Sequence, residues 1–306
     1  MNKLLELKNI SKTFNTLNGE IHAIEDISFD VYKGEFIGIV GSSGCGKSTL
    51  LNIIDELDKN YNGTIIKDNL KMSYMLQSDA LLPWLTVLDN ACLGLKLEKN
   101  LTKDNIEYVK ELIKKFGLES FMNQKPNNLS GGMKQRVALI RTLATKPDLI
   151  LLDEPLSALD MKLRKQMQIE LKQLQRKFGI TFIYVTHSQD EALSMSDRIV
   201  VLNEGKIEQI GTPTQVYEKP KNLFVANFLG DSNIFKGKVI DDGEAILTEE
   251  GDVFKIDKTP RGTLEEIYIM VRPENIRVSF EKPKGNHVLG KVYEKSYNGS
   301  MTKILT

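Results

Sequence analysis

The rhythm of apolar and polar residues changes along this chain, and the changes mark its elements. Residues 24–31 alternate, with Ile27, Phe29 and Val31 set against Ser28 and Asp30, which predicts a half-buried strand. Gly34 turns the chain, and Phe36–Val40 follows as an unbroken apolar run, the pattern of a strand buried on both faces. A glycine-rich loop comes next, then a helical stretch carrying Leu50, Leu51, Ile53 and Ile54. Residues 84–145 read as mostly helical: Ile106, Val109, Leu112, Ile113 and Phe116 recur at helical spacing, with Gly117 as the stop. Leu149–Leu152 predicts another buried strand. Leu163, Met167, Leu171, Leu174 and Phe178 form a helical stripe ended by Gly179, and Thr181–Thr186 and Ile199–Leu202 are further β-type runs. Strands alternating with helices predict an α/β fold with a parallel sheet covered on both faces.

After residue 235 the texture shifts to short β-like pieces, Phe235–Ile240, Ile267–Val271 and Ile276–Phe280, between the turn signals Asp242-Gly243 and Lys284-Gly285-Asn286. That predicts a small all-β domain over 233–306 behind a larger domain over 1–232, a division that 306 residues accommodate.

Composition narrows the function. The 41 basic residues balance 41 acidic ones and the lysine-rich stretches are interleaved with Asp, Glu and Asn, so the basic stripe of a nucleic-acid binder is missing. The two cysteines, Cys45 and Cys92, have no metal-ligand spacing and fit a reducing compartment. The opening Met-Asn-Lys-Leu-Leu-Glu-Leu-Lys puts charge where a signal peptide needs an apolar run. No stretch approaches the roughly 20 apolar residues of a membrane helix. The expectation is a soluble, cytoplasmic chain, any membrane part being supplied by another chain.

The glycine-rich loop carries the clearest chemistry. Gly41-Ser42-Ser43-Gly44-Cys45-Gly46-Lys47-Ser48 matches the G-x-x-x-x-G-K-[ST] phosphate loop between a buried strand and a helix. Its glycines let backbone N–H groups crowd around phosphates, and the helix start adds an effective charge of about +0.5. Lys47 is expected to reach the β- and γ-phosphates and the Ser48 hydroxyl to ligate Mg²⁺. About a hundred residues later, Leu149-Ile150-Leu151-Leu152-Asp153-Glu154 ends a strand in two carboxylates, at the carboxyl edge where a sheet places its ligands. Asp153 is expected in the Mg²⁺ shell and Glu154 as the group that orients or deprotonates water.

Leu129-Ser130-Gly131-Gly132-Met133 lies upstream of those carboxylates and resembles the signature of the ABC ATPase family. Other landmarks follow in family order: Gln77 resembles the Q-loop glutamine, Ser157-Ala158-Leu159-Asp160 the D-loop, His187 the switch histidine, and Phe14 the aromatic that stacks on adenine. The resemblance covers roughly residues 3–230. It implies a P-loop NTPase core with a mostly parallel sheet, an antiparallel β subdomain and a helical insertion over about 84–145. It also implies that Gly41–Thr49, with Ser130, Gly131, Gly132 and Asp160, bind ATP, that Gln77 joins Ser48 and Asp153 at Mg²⁺, and that Glu154, His187, Lys47 and Gln77 serve hydrolysis. Ser130 can cap a helix whose first turn offers the N–H groups of Gly131 and Gly132, a second anion site. The family brings it to the phosphate loop of another subunit, in a head-to-tail dimer with itself or a paralogous ATPase.

The family resemblance further implies an importer ATPase at the cytoplasmic face of the membrane, working with permease subunits and, through them, an extracytoplasmic solute-binding protein. The segment Gln77–Val87, with Trp84, resembles nitrate, sulfonate and taurine importer ATPases, where it receives a permease helix; local core packing is the alternative for Trp84. Phe228–Phe235 and Val271–Ile276 resemble the OB-like regulatory domain of polyamine, iron, sulfate and maltose importer ATPases; that domain usually runs further than Lys303-Ile304-Leu305-Thr306, which implies either an abbreviated domain or a truncated sequence. The two hints point to different solutes. An exporter subunit, or a soluble ABC ATPase acting on nucleic acid or ribosomes, are the other readings.

Overall fold

The apolar runs become adjacent strands. A computed structural model of the chain describes residues 2–17, 19–67, 69–256, 267–279, 281, 283, 285–297 and 302–305. From the N-terminus run β1 (Lys3–Thr16), β2 (Gly19–Tyr32), β3 (Phe36–Gly41), α1 (Lys47–Ile54), β4 (Asn62–Lys67), β5 (Met72–Met75), α2 (Val87–Ala91), α3 (Leu93–Leu97), α4 (Lys103–Lys115), α5 (Gly131–Ala144), β6 (Leu149–Asp153), α6 (Met161–Phe178), β7 (Thr181–Thr186), α7 (Gln189–Met195), β8 (Arg198–Asn203), β9 (Lys206–Gly211), α8 (Pro213–Glu218) and α9 (Leu223–Phe228).

Six of these strands form one sheet in the order β5-β6-β7-β3-β8-β9. The first five run parallel and β9 closes one edge antiparallel. Side chains alternate across a sheet, so each unbroken run feeds two cores. Ile37, Ile39, Leu149, Leu151, Ile183 and Val185 pack with Leu50, Leu51, Ile53 and Ile54 of α1 on one side. Phe36, Ile150, Leu152, Phe182 and Tyr184 pack with residues of α5 and α6 on the other. This is why these strands lack polar alternation: neither face meets water.

A second sheet, ordered β2-β1-β4 and antiparallel, lays Leu5, Leu7, Ile10, Ile27, Phe29 and Val31 on the α1 side of the first. Its outer face is solvated, which produces the alternation read at 24–31. Three helices of 87–144 start where short polar side chains accept the first free N–H groups: Thr86, Thr102 and Ser130 cap α2, α4 and α5. Asp160 caps α6, and Gly179 ends it at φ 63°, a left-handed turn that glycine adopts without steric penalty.

By its internal contacts the chain divides into two compact units, Met1–Gly230 and Asp231–Thr306. The second contains β10 (Asn233–Ile240), β11 (Ala245–Thr248), β12 (Val253–Lys255) and β13 (Ile267–Val271), an antiparallel sheet ordered β12-β11-β10-β13. A separate hairpin pairs β14 (Glu294–Tyr297) with β15 (Thr302–Leu305). One strand prediction fails here. Residues 276–279 run without regular structure, and Ile276 and Val278 are exposed, so their apolar character does not reflect burial on a sheet. Phe280, Lys284 and Thr306 lie outside the described residues.

Candidate functional site

Parallel strands with helical crossovers deliver their following loops to one edge, and four such loops meet here. β3 runs into the phosphate loop, β5 into Gln77, β6 into Asp153 and Glu154, and β7 into His187. Because β3 and β6 flank β7, residues more than a hundred positions apart in sequence share one cleft. Ser43, Gly44, Gly46, Lys47, Ser48, Thr49, Gln77, Glu154 and His187 line it together with Ala23, around a volume of about 390 Å³.

The phosphate loop is folded on its own lysine. Lys47 Nζ donates to the carbonyls of Gly41 (3.0 Å) and Ser42 (2.8 Å). A side chain at Gly41 would collide with the Leu202 carbonyl, and one at Gly46, where φ is 99°, with the Ala23 carbonyl. Both glycines are therefore fixed by close backbone approach. α1 begins at Gly46 without a side-chain cap, unlike α4, α5 and α6, so no N-cap side chain takes up its first-turn N–H groups. Cys45 is buried against the loop, and burial pushes its thiol above the ordinary range despite the nearby Lys47 ammonium. It is a small filler of the loop rather than an exposed nucleophile.

Asp153 is buried at the strand end. Burial raises its carboxyl above the usual aspartate range, and a hydrogen bond from Ser48 and the Lys47 charge pull the other way. A desolvated carboxylate next to a hydroxyl offers two hard oxygen donors, which suits Mg²⁺. Among the described residues no group of three or more His, Cys, Asp and Glu could hold a metal alone. The sequence reading missed Tyr74 on β5, whose hydroxyl donates to Asn52 Oδ1 at 3.2 Å and whose neighbourhood helps hold the Asp153 charge. Its position three residues before Gln77 was the available signal.

Glu154 is the meeting point. Its Oε2 accepts from Gln77 Nε2 at 3.3 Å and lies 3.3 Å from His187 Nδ1. Its backbone sits at φ 49°, in the left-handed region that costs a side-chain-bearing residue energy, and its N–H donates to the Val185 carbonyl at 3.0 Å. Strained non-glycine residues held by surrounding structure concentrate at functional sites.

Other predicted residues stand apart from this cleft. Ser130 accepts from the Met133 N–H (3.3 Å) and Asp160 from the Leu163 N–H (2.9 Å), each as a helix cap outside the lining. Gly132 packs so closely on Leu159 that a Cβ would lie 2.8 Å from Leu159 Cδ2. Phe14 is 41% exposed on the β1–β2 hairpin with Lys12 Nζ 4.8 Å from its ring centre, and it too lies outside the lining. Trp84 is 65% exposed, which removes core packing as its role. The loop presenting it is tied down by the buried Asn90 side chain, bonded to Leu82 and Leu85, and by Arg141, bonded to the carbonyls of Asp79 and Ala80.

Residues 24–157 match the ABC transporter family model. A spermidine/putrescine import ATP-binding protein PotA of Marinobacter nauticus is 42% identical, over 97% of this chain and 82% of that protein. One of Mycoplasma capricolum is 45% identical, over 97% and 86%. Among solved structures, the dimeric ATP-binding cassette MJ0796 in a post-hydrolysis state bound to ADP and Pi is 35% identical with a TM-score of 0.64, over 69% of this chain and 99% of that one. No helix among the described residues is long and apolar enough to cross a membrane.

Proposed function

We propose that this chain, which belongs to the ABC transporter family as the ATP-hydrolysing subunit of an importer, drives polyamine uptake from a head-to-tail dimer. The observation that carries the site assignment is the convergence of Gln77 and His187 on Glu154, beside Lys47, Ser48 and Asp153. Lys47 and the N–H groups of Gly44–Thr49 hold the β- and γ-phosphates, and Phe14 stacks on adenine. Ser48 and Asp153, with Gln77, would hold Mg²⁺, which would neutralise charge on the phosphate oxygens. Glu154 orients the attacking water and accepts its proton, and His187 contacts the γ-phosphate. A general base of this kind contributes roughly 10²–10⁴ in rate.

The capped start of α5 lies outside the cleft, so one chain cannot close both ends of the nucleotide. In a head-to-tail dimer, Ser130, Gly131 and Gly132 of one subunit would meet the γ-phosphate held by the other, and the similar cassette of known structure is dimeric. Hydrolysis then removes the group both subunits grip. The exposed Trp84 and its braced loop offer an apolar face next to Gln77 for a permease helix at the cytoplasmic side of the membrane. An extracytoplasmic binding protein would feed that permease. Of the two solute hints in the sequence, similarity along nearly the whole chain to spermidine/putrescine import proteins favours the one in the second unit, Asp231–Thr306, which we assign a regulatory, OB-like role.

Three measurements test this. Glu154→Gln is expected to bind ATP normally, nearly abolish turnover and hold the ATP-bound dimer; normal turnover would remove Glu154 from its role. Pull-down from detergent-solubilised membranes is expected to bring a permease, and loss of the gene to abolish labelled spermidine uptake. Unchanged uptake would leave the ATPase assignment standing and overturn the solute.

A further inference from the structure

The loop at 157–160, between β6 and α6, is gripped from two helices. Gln135 of α5, only 6% exposed, uses both ends of its amide: Nε2 donates to Ser157 Oγ at 3.1 Å and Oε1 accepts from the Ala158 N–H at 3.1 Å. Arg164 of α6 donates through one terminal nitrogen to the carbonyls of Leu159 (3.0 Å) and Ser157 (3.4 Å). The Nε of the same guanidinium faces Glu191 of α7, 3.6 Å from Oε1. That Nε is buried and makes no hydrogen bond, so the Glu191 charge is its only compensation among the described residues.

Glu191 is 4% exposed, and its second oxygen accepts from the Tyr184 hydroxyl (2.6 Å) and the Thr186 hydroxyl (2.7 Å). Thr186 Oγ1 in turn accepts from the Ser188 N–H at 3.0 Å, and the Glu191 N–H donates to Ser188 Oγ at 3.4 Å. Of the two neighbours of His187, Thr186 is thereby bonded to the buried Glu191 carboxylate, and Ser188 to Thr186 and to the Glu191 backbone N–H, and His187 lies 3.3 Å from Glu154. A buried carboxylate persists only with hydrogen bonds and a countercharge, and here the countercharge is the residue that grips the 157–160 loop.

We propose that Arg164 and Glu191 are positioning residues that lock the 157–160 loop to the turn carrying His187, so that the placement of that loop sets the placement of His187 over Glu154. The inference rests on hydrolysis occurring at Glu154 within a dimer. Neither side chain lines the nucleotide cleft, so both act through others. Mispositioning a reacting group by about 1 Å costs on the order of 10²-fold in rate, without weakening binding.

The test uses the full-length chain and reads equilibrium ATP affinity, kcat and the Hill coefficient for ATP. Glu191→Gln keeps an oxygen for Tyr184 and Thr186 but removes the countercharge of Arg164. Arg164→Lys keeps the charge but cannot span Glu191 and two carbonyls with one ammonium, and it guards against misfolding by the more severe Arg164→Gln. Each single variant is expected to lose on the order of 10²-fold in kcat, with ATP affinity within about twofold and the Hill coefficient falling toward one. Arg164→Gln with Glu191→Gln together is expected to be no slower than either alone, because one connection is cut twice. Wild-type kcat in Glu191→Gln and Arg164→Lys, multiplicative losses in the double variant, or losses of kcat and affinity in step would each overturn the proposal. Turnover retained by Glu154→Gln would instead overturn the site assignment beneath it.

Discussion

Glu154 should stabilise the fold more as glycine than as alanine, the reverse of the usual order. The residue sits at φ 49°, where a Cβ crowds the following carbonyl at a cost of roughly 1–2 kcal/mol. Glycine escapes that cost and instead loses roughly 0.5–1 kcal/mol of extra chain entropy on folding. Both replacements lose the same contacts to Gln77 and His187, so those cancel. The net expectation is that Glu154→Gly exceeds Glu154→Ala by about 0.5–1 kcal/mol. In a unit of this size that is about 1–4 °C in unfolding temperature. The assay is thermal and urea unfolding of both variants without nucleotide, with hydrolysis measured alongside. Neither should turn over ATP. Glu154→Gln should match the wild type in stability, since it keeps the same backbone cost. An alanine variant as stable as the glycine variant, or more so, would refute strain at this residue. With it would go the idea that fold stability is given up to hold a carboxylate over the cleft.

Three further outcomes follow from the geometry. Gly46→Ala combines φ 99° with a collision on the Ala23 carbonyl, so it should cost about 2 kcal/mol of stability and weaken ATP binding more than tenfold, read by calorimetry. Trp84→Ala should leave the unfolding temperature and the ATPase of the isolated chain unchanged, because the ring is 65% exposed, while reducing co-purification with a permease. Hydrogen bonding to the buried Lys12 ammonium holds the Asp58 carboxyl below its ordinary range. A lowered folded-state pKa gives stability that is full above about pH 4 and fades as pH falls through the lowered value. Asp58→Asn should therefore be less stable than wild type at pH 7, with the gap closing in acid urea unfolding.

Much of the first unit was legible because its signals are local. Phe36–Val40, Leu149–Leu152 and Thr181–Thr186 are too apolar for anything but buried strands, and helix caps such as Ser130 and stops such as Gly179 act within a turn of their own position. β4, β5 and β9 escaped because they are short and only partly buried, carrying neither a clean alternation nor an unbroken run. Ile276–Ser279 misled in the other direction, since β-branched composition alone does not supply a strand partner. At the site, the phosphate loop and the two carboxylates were readable as motifs. Tyr74, Gln135, Arg164 and Glu191 were not, because each acts on residues distant in sequence and carries no local pattern.

The sequence by itself determined the chemistry: a lysine and hydroxyl in a glycine-rich loop, paired carboxylates after an apolar strand, a family signature in order. Those depend on residue type and spacing, which the chain carries wherever it folds. Only the tertiary structure decided which groups share a cleft and which are kept from it. Strand order puts β7 between β3 and β6, and so brings His187 and Glu154 together over Lys47. The same packing caps Ser130 away from that cleft, leaves Trp84 in solvent and bends Glu154 into a strained turn. These depend on which strands become neighbours and which side chains lose water, and that is settled when the whole core closes.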